Sequence, residues 1–241
     1  MISDRLPSVA TAQPGGPVVN TSFKLASVLM QYPTAALFDG LDELDAYAAR
    51  TSPKHTRASF GRFLAWLRAT PPTEVAQHYV ETFDLRRRCA LYLTYYRYGD
   101  TRKRGMAMLA FKSAYRDAGF VPRADELPDY LPMVLDFAGL CPRGERLLRA
   151  HRADLELLRR ALLTAQTPYT SVVDAVCTQL PRLRRGEFGQ VRAAWESGPP
   201  REDVGADPFA PPDYLAGYGA GAAGAVHIDP LARPDATAPT R

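Results

Sequence analysis

Cysteine is scarce in this 241-residue chain: there are three, and Cys89, Cys141 and Cys177 lie far apart. An odd number at such spacing argues against a disulfide framework or a cysteine-built zinc site, and fits a reducing, cytoplasmic setting. Histidine is equally sparse. His55, His78, His151 and His227 have no carboxylate or cysteine companions at ligand spacing, and neither HExxH nor GxxxxGK[ST] occurs. No apolar run approaches the roughly 18 residues that a transmembrane helix needs, and the mean hydropathy is −0.24. The first twenty residues hold one arginine and a Pro14-Gly15-Gly16-Pro17 interruption, so they do not read as a secretory signal. Alternating period-2 stretches are almost absent, which removes a large sheet from consideration.

What is present is unevenly spread. Of 21 prolines, three fall in residues 1–20 and eight in residues 198–241; of 17 glycines, two and six do. Such ends bury too little apolar area to offset chain entropy and are expected to be extended or disordered. The expected organisation is a flexible segment 1–20, a helical domain 21–197 and a Pro/Gly/Ala-rich acidic tail 198–241. The tail carries three arginines against six carboxylates, and residues 1–20 one charge of each sign. With +4 on the whole chain, residues 21–197 therefore carry +7.

Within the body the apolar period is helical. Leu25, Val28, Leu29 and Tyr32 follow the i, i+3, i+4, i+7 spacing, as do Phe60, Phe63, Leu64 and Leu67. Leu37, Leu41, Leu44 and Ala48 predict a helix behind a Thr34 cap. Thr73 is placed to cap the next segment, and Asp100 or Thr101 the one that Gly119 closes. Leu127, Leu131, Val134, Leu135 and Ala138 predict a helix stopped by Gly139. Leu148, His151, Leu155, Leu158 and Leu162 read as one stripe, and Tyr169 to Leu180 as another. The expectation is an all-α, single-domain bundle of about eight to ten helices.

Few motifs carry chemistry. Gly219-Ala220-Gly221-Ala222-Ala223-Gly224 matches GxGxxG, but no strand delivers it and no βαβ unit surrounds it, so it reads as tail. Residues 79–108 are more informative. Tyr79, Phe83, Tyr92, Tyr95, Tyr96 and Tyr98 interleave with Arg86, Arg87, Arg88, Arg97, Arg102, Lys103 and Arg104. A packed helix with a solvated basic face produces this mixture. So does a surface that stacks bases and holds phosphates, or a groove for another polypeptide, where Tyr and Arg are favoured anchors. Composition leaves all three open.

The order of two segments narrows the choice. Asp100 leads into Arg102-Lys103-Arg104-Gly105, and Glu126-Leu127-Pro128-Asp129-Tyr130-Leu131-Pro132 follows, ahead of Val134-Leu135-Asp136-Phe137. With Tyr79, Phe83-Asp84, Tyr32-Pro33, Pro168-Tyr169 and Ala194-Trp195-Glu196, the stretch 23–197 resembles the NarJ-type chaperones that assemble respiratory nitrate reductase, within the TorD/DmsD group. Where related chaperones often place His after Pro-Asp, this chain has Tyr130. The resemblance implies an all-helical, cytoplasmic, non-enzymatic protein with no cofactor of its own. It also implies a partner: the catalytic subunit of a molybdenum nitrate reductase, captured by its N-terminal peptide and kept competent for molybdenum cofactor insertion before membrane attachment. Neither nucleic acid nor a stable membrane association is implied. The alternatives are a helical protein that itself holds the molybdopterin dinucleotide on its basic body, and an RNA-binding helical protein.

On this reading the client contacts are Tyr79, Phe83, Asp84, Arg88, Tyr92, Arg102, Arg104, Glu126, Asp129 and Tyr130. Asp84 and Arg88, four apart, are expected on one helix face. Asp129 is expected to cap the helix that opens at Leu131, with Pro132 tolerated in its first turn.

Overall fold

The computed structural model describes residues 10–11 and 20–200; the expectations for the rest of the two ends, including the GxGxxG match, fall outside them. Among the described residues there are twelve α-helices, more than the eight to ten expected, because glycine and histidine positions divide stripes that periodicity joins. α1 (Thr21–Leu29) is capped by Asn20, whose side-chain oxygen accepts from the N–H groups of Ser22 at 2.9 Å and Phe23 at 3.2 Å. α2 (Ala35–Asp39) and α3 (Leu41–Ala49) are separated at Gly40, and the Thr34 side chain makes no capping bond. α4 (Lys54–Ala69) precedes α5 (Pro72–Tyr79). α5 starts one residue ahead of Thr73, since proline at the first position gives up an N–H that would have no partner there.

α5 runs into a π turn (Val80–Asp84), then a 3-10 turn (Arg87–Cys89), α6 (Tyr95–Tyr98) and α7 (Arg102–Arg116). Thr101 precedes α7 without a side-chain cap, and Gly119 takes φ +76° in the turn beyond it. Val121–Pro122 (β2) pairs antiparallel with Ala10–Thr11 (β1). α8 (Leu131–Leu140) is followed by α9 (Pro142–Ala150) and α10 (Arg152–Thr164), so the stripe from Leu148 to Leu162 is two helices meeting at His151. α11 (Tyr169–Thr178) and α12 (Arg185–Ser197) complete the described chain.

A helix that is apolar all round belongs in the interior. α1 and α8, mainly apolar but for Ser22, Lys24, Ser27 and Asp136, are buried on every side: every residue from Ser22 to Leu29 and from Leu131 to Gly139 is buried. They pack on each other, α11 lies against α1, α4 and α10, and α9 covers α8. Gly139 does not stop α8; it lies inside the helix, where a Cβ would come within 2.9 Å of the Lys24 backbone nitrogen. The missing side chain lets α1 and α8 approach, and the buried Lys24 and Asp136 pair across the contact.

Candidate functional site

The π turn sets the site's floor. The Leu85 N–H reaches the Val80 carbonyl at 3.1 Å, one residue wider than an α-helical bond, a device frequent at functional positions. Tyr79 and Phe83 are both buried there, ring centroids 4.7 Å apart. They close on Tyr169, which also meets Phe63 and Trp66. These rings are core, not surface. His78 stacks on Tyr169, its Nε2 lies 2.7 Å from Thr167 Oγ1, and burial pulls its pKa below the ordinary imidazole value.

The wall is built where residues 91–94 meet the Glu126–Pro132 segment. Residues 91–94 are stitched to 129–131: the Leu93 N–H donates to the Asp129 carbonyl at 3.1 Å, and the Leu131 N–H to that of Leu91 at 2.7 Å. Tyr92 thereby faces Tyr130 across an antiparallel bridge, with centroids 5.6 Å apart. The Tyr92 hydroxyl donates to Glu126 Oε1 at 3.2 Å, and the Tyr130 and Tyr79 hydroxyls lie 3.5 Å apart. Burial, and then Glu126, push the Tyr92 phenol up to about 12; burial foremost raises Tyr79 and Tyr130 as well. All three are therefore neutral hydroxyls near pH 7, able both to donate and to accept.

Asp129 ties the wall down and caps nothing. The residue before α8 is Tyr130, without a side-chain capping bond. The fully buried Asp129 carboxylate instead turns inward, where Oδ2 accepts from the Thr94 N–H at 3.1 Å, Thr94 Oγ1 at 2.5 Å and Arg104 Nη2 at 3.5 Å. Its Oδ1 is buried with no protein partner. The Arg104 guanidinium also lies over the rings of Tyr92 and Tyr95, at 5.2 and 5.7 Å. Arg104 thus joins the Asp100–Gly105 segment to the Glu126–Pro132 segment.

Three expected contacts are exposed rather than built into the wall. Asp84 ends the π turn and Arg88 lies in the 3-10 turn, so the two do not share a helix face. Arg88 instead donates to the Trp195 carbonyl at 2.8 Å and lies over the Trp195 ring at 5.1 Å. Asp84 and Arg102 are exposed. The structure therefore gathers Tyr79, Phe83, Tyr92, Arg104, Glu126, Asp129 and Tyr130, with exposed Asp84 near enough to help raise the Tyr79 and Tyr130 phenols, and turns Arg88 away to Trp195. It adds Thr94, which no motif marks. It also adds Tyr32, 52% exposed and edge-on to Tyr79 at 5.5 Å, for which Tyr32-Pro33 was the available signal. Among the described residues no group of three or more His, Cys, Asp or Glu side chains is placed to hold a metal ion.

The surface that results is an apolar and phenolic edge. Tyr32, Tyr92, Leu127 and Tyr130 reach solvent over a buried aromatic floor, with Glu126 and Arg104 supplying one charge of each sign. That combination suits capture of a peptide segment. The same helical fold occurs in a crystal structure from Archaeoglobus fulgidus described as a redox enzyme maturation protein, at TM-score 0.50 and 18% identity over 70% of this chain and 97% of that one. The profile of the nitrate reductase delta subunit family matches residues 49–173, just over half the chain and a span that contains the ten candidate positions, and the chain belongs to that family. It is 41% identical over 157 residues to the nitrate reductase-like protein NarX of Mycobacterium tuberculosis, and 32% identical over 154 residues to the nitrate reductase molybdenum cofactor assembly chaperone NarJ of Escherichia coli. The matches take in 64% and 62% of this chain, but 24% of NarX and 65% of NarJ.

Proposed function

We propose that this protein is an assembly chaperone for a molybdenum nitrate reductase. It captures the N-terminal peptide of the apo catalytic subunit in the cytoplasm and keeps that subunit competent for cofactor insertion until it joins its complex at the membrane. Family membership supports the chaperone role. The observation that carries the peptide reading is the Tyr92–Tyr130–Glu126 wall, where neutral phenols and one carboxylate border an apolar floor. An amphipathic segment would lay its apolar side chains over Tyr92, Tyr130 and Leu127 and direct its backbone or basic groups to the hydroxyls and Glu126. A segment ordered only on binding spends part of the interaction energy on ordering, which favours release once the cofactor is in place.

The test is calorimetric titration of the full chain with the client's N-terminal peptide. Tyr92→Ala, at a half-exposed ring, is expected to weaken binding about 30-fold, the effect of losing an aromatic anchor worth about 2 kcal/mol. Thermal unfolding of the variant checks that the fold is kept. Unchanged affinity in a folded Tyr92→Ala variant would move the peptide site elsewhere. Absence of any binding by the unaltered chain would remove the client reading itself.

A further inference from the structure

α7, like α12, buries little of its length. Of its fifteen residues only Phe111 and Tyr115 are buried, and they turn toward the bundle. The opposite side does not become uniformly polar. Met106 and Leu109, one turn apart, are 71% and 52% exposed, and with exposed Arg102 and Ser113 they form one row along the helix. Lys103 flanks that row on one side and Lys112 and Arg116 on the other, by the 100° step of an α-helix, and all three are exposed. No carboxylate occurs between residues 102 and 116. The acids at its two ends are already engaged, Asp100 with Arg87 at 3.0 Å and Asp117 with Arg143 at 3.5 Å. A side chain at Gly105 would meet nothing within 4 Å, so the start of the helix is also uncovered.

An exposed apolar ridge between rows of cations is the pattern of a helix that lies in a membrane interface. The cations select the charge of that interface.

We propose that the outer face of α7 docks this protein reversibly on an anionic lipid surface, with Met106 and Leu109 entering the headgroup layer and Lys103, Lys112 and Arg116 meeting lipid phosphates. The contact is peripheral: no helix among the described residues is long and apolar enough to cross a membrane. It lies on the side of α7 away from the Arg104–Asp129 junction, so the wall proposed for the client stays open while the protein is docked.

The test is co-sedimentation of the full chain, without client, on vesicles of phosphatidylglycerol and phosphatidylethanolamine, beside vesicles of phosphatidylcholine alone. Binding to the anionic vesicles at low salt, released as salt rises, is expected. Lys112→Glu/Arg116→Glu should weaken it about a hundredfold, and Met106→Asp/Leu109→Asp at least about tenfold. Thermal unfolding checks each variant, and Lys112→Gln/Arg116→Gln replaces the charge reversal if that variant fails to fold. No binding to anionic vesicles, equal binding to phosphatidylcholine, or binding that folded variants retain would overturn the proposal. If the unaltered chain ignores vesicles but Met106→Asp/Leu109→Asp loses the client peptide, the ridge is a protein interface and the lipid reading falls. Because the vesicle assay omits the client, its failure leaves the chaperone reading untouched.

Discussion

Asp129 shows how far one side chain's role depends on what lies across the fold. As a helix cap it would contribute about 1 kcal/mol. As a buried carboxylate holding both donors of Thr94 and the Arg104 guanidinium, it is the centre of a charged network, and removing it strands a half-buried cation. Asp129→Ala is therefore expected to lower unfolding stability by about 3 kcal/mol, read by denaturant titration, with Thr94→Val costing about 1–2 kcal/mol. A loss near 1 kcal/mol for Asp129→Ala would show that the network contributes no more than one ordinary hydrogen bond. The network also separates two arginines that look equivalent in sequence. Charge reversal at half-buried Arg104 strikes the same network, whereas Arg102 is exposed.

At the scale of elements, helix periodicity is local, and it was legible in α4 and α11, whose buried faces lie on the residues that the 3.6-residue spacing marks. α1 and α8 are buried all round, and Tyr32 and Leu127, placed on their stripes, lie outside them and exposed. Breaks were harder to see. The π turn after Tyr79 is held by the aromatic packing of Phe83 on Tyr169, a contact 86 residues away along the chain. Glycine illustrates the same limit. Gly139 and Gly105 both sit in helices, yet a methyl group at Gly139 collides with the Lys24 backbone while one at Gly105 meets open space. Gly139→Ala is expected to destabilise by about 1–3 kcal/mol by forcing α1 from α8. Gly105→Ala should stabilise by about 0.5–1 kcal/mol through helix propensity and lost unfolded-state freedom. Chemical denaturation of the pair checks both signs, and a Gly139→Ala variant that is not destabilised would contradict the close α1–α8 approach.

For the described molecule as a whole, stability concentrates where helices are buried on all sides. Amide hydrogen exchange should be slowest in α1, α8 and α11, and markedly faster in α7 and α12, where only two residues and one, respectively, are buried. Protection of α7 equal to that of α8, measured by mass spectrometry on the full chain, would show that its outer face is covered rather than free. The sequence by itself determined the all-α class, the positions of most helices and the two segments by which the family is recognised, because periodicity, proline and short motifs act over a few residues. Only the tertiary structure decided that Asp129 faces Thr94 and Arg104, that Arg88 turns to Trp195, and that α7 leaves Met106 and Leu109 outside. The physical reason is the same in each case. A side chain's partner is set by which elements are packed against it, and those come from distant parts of the chain: 35 residues for Thr94 and Asp129, and 107 for Arg88 and Trp195.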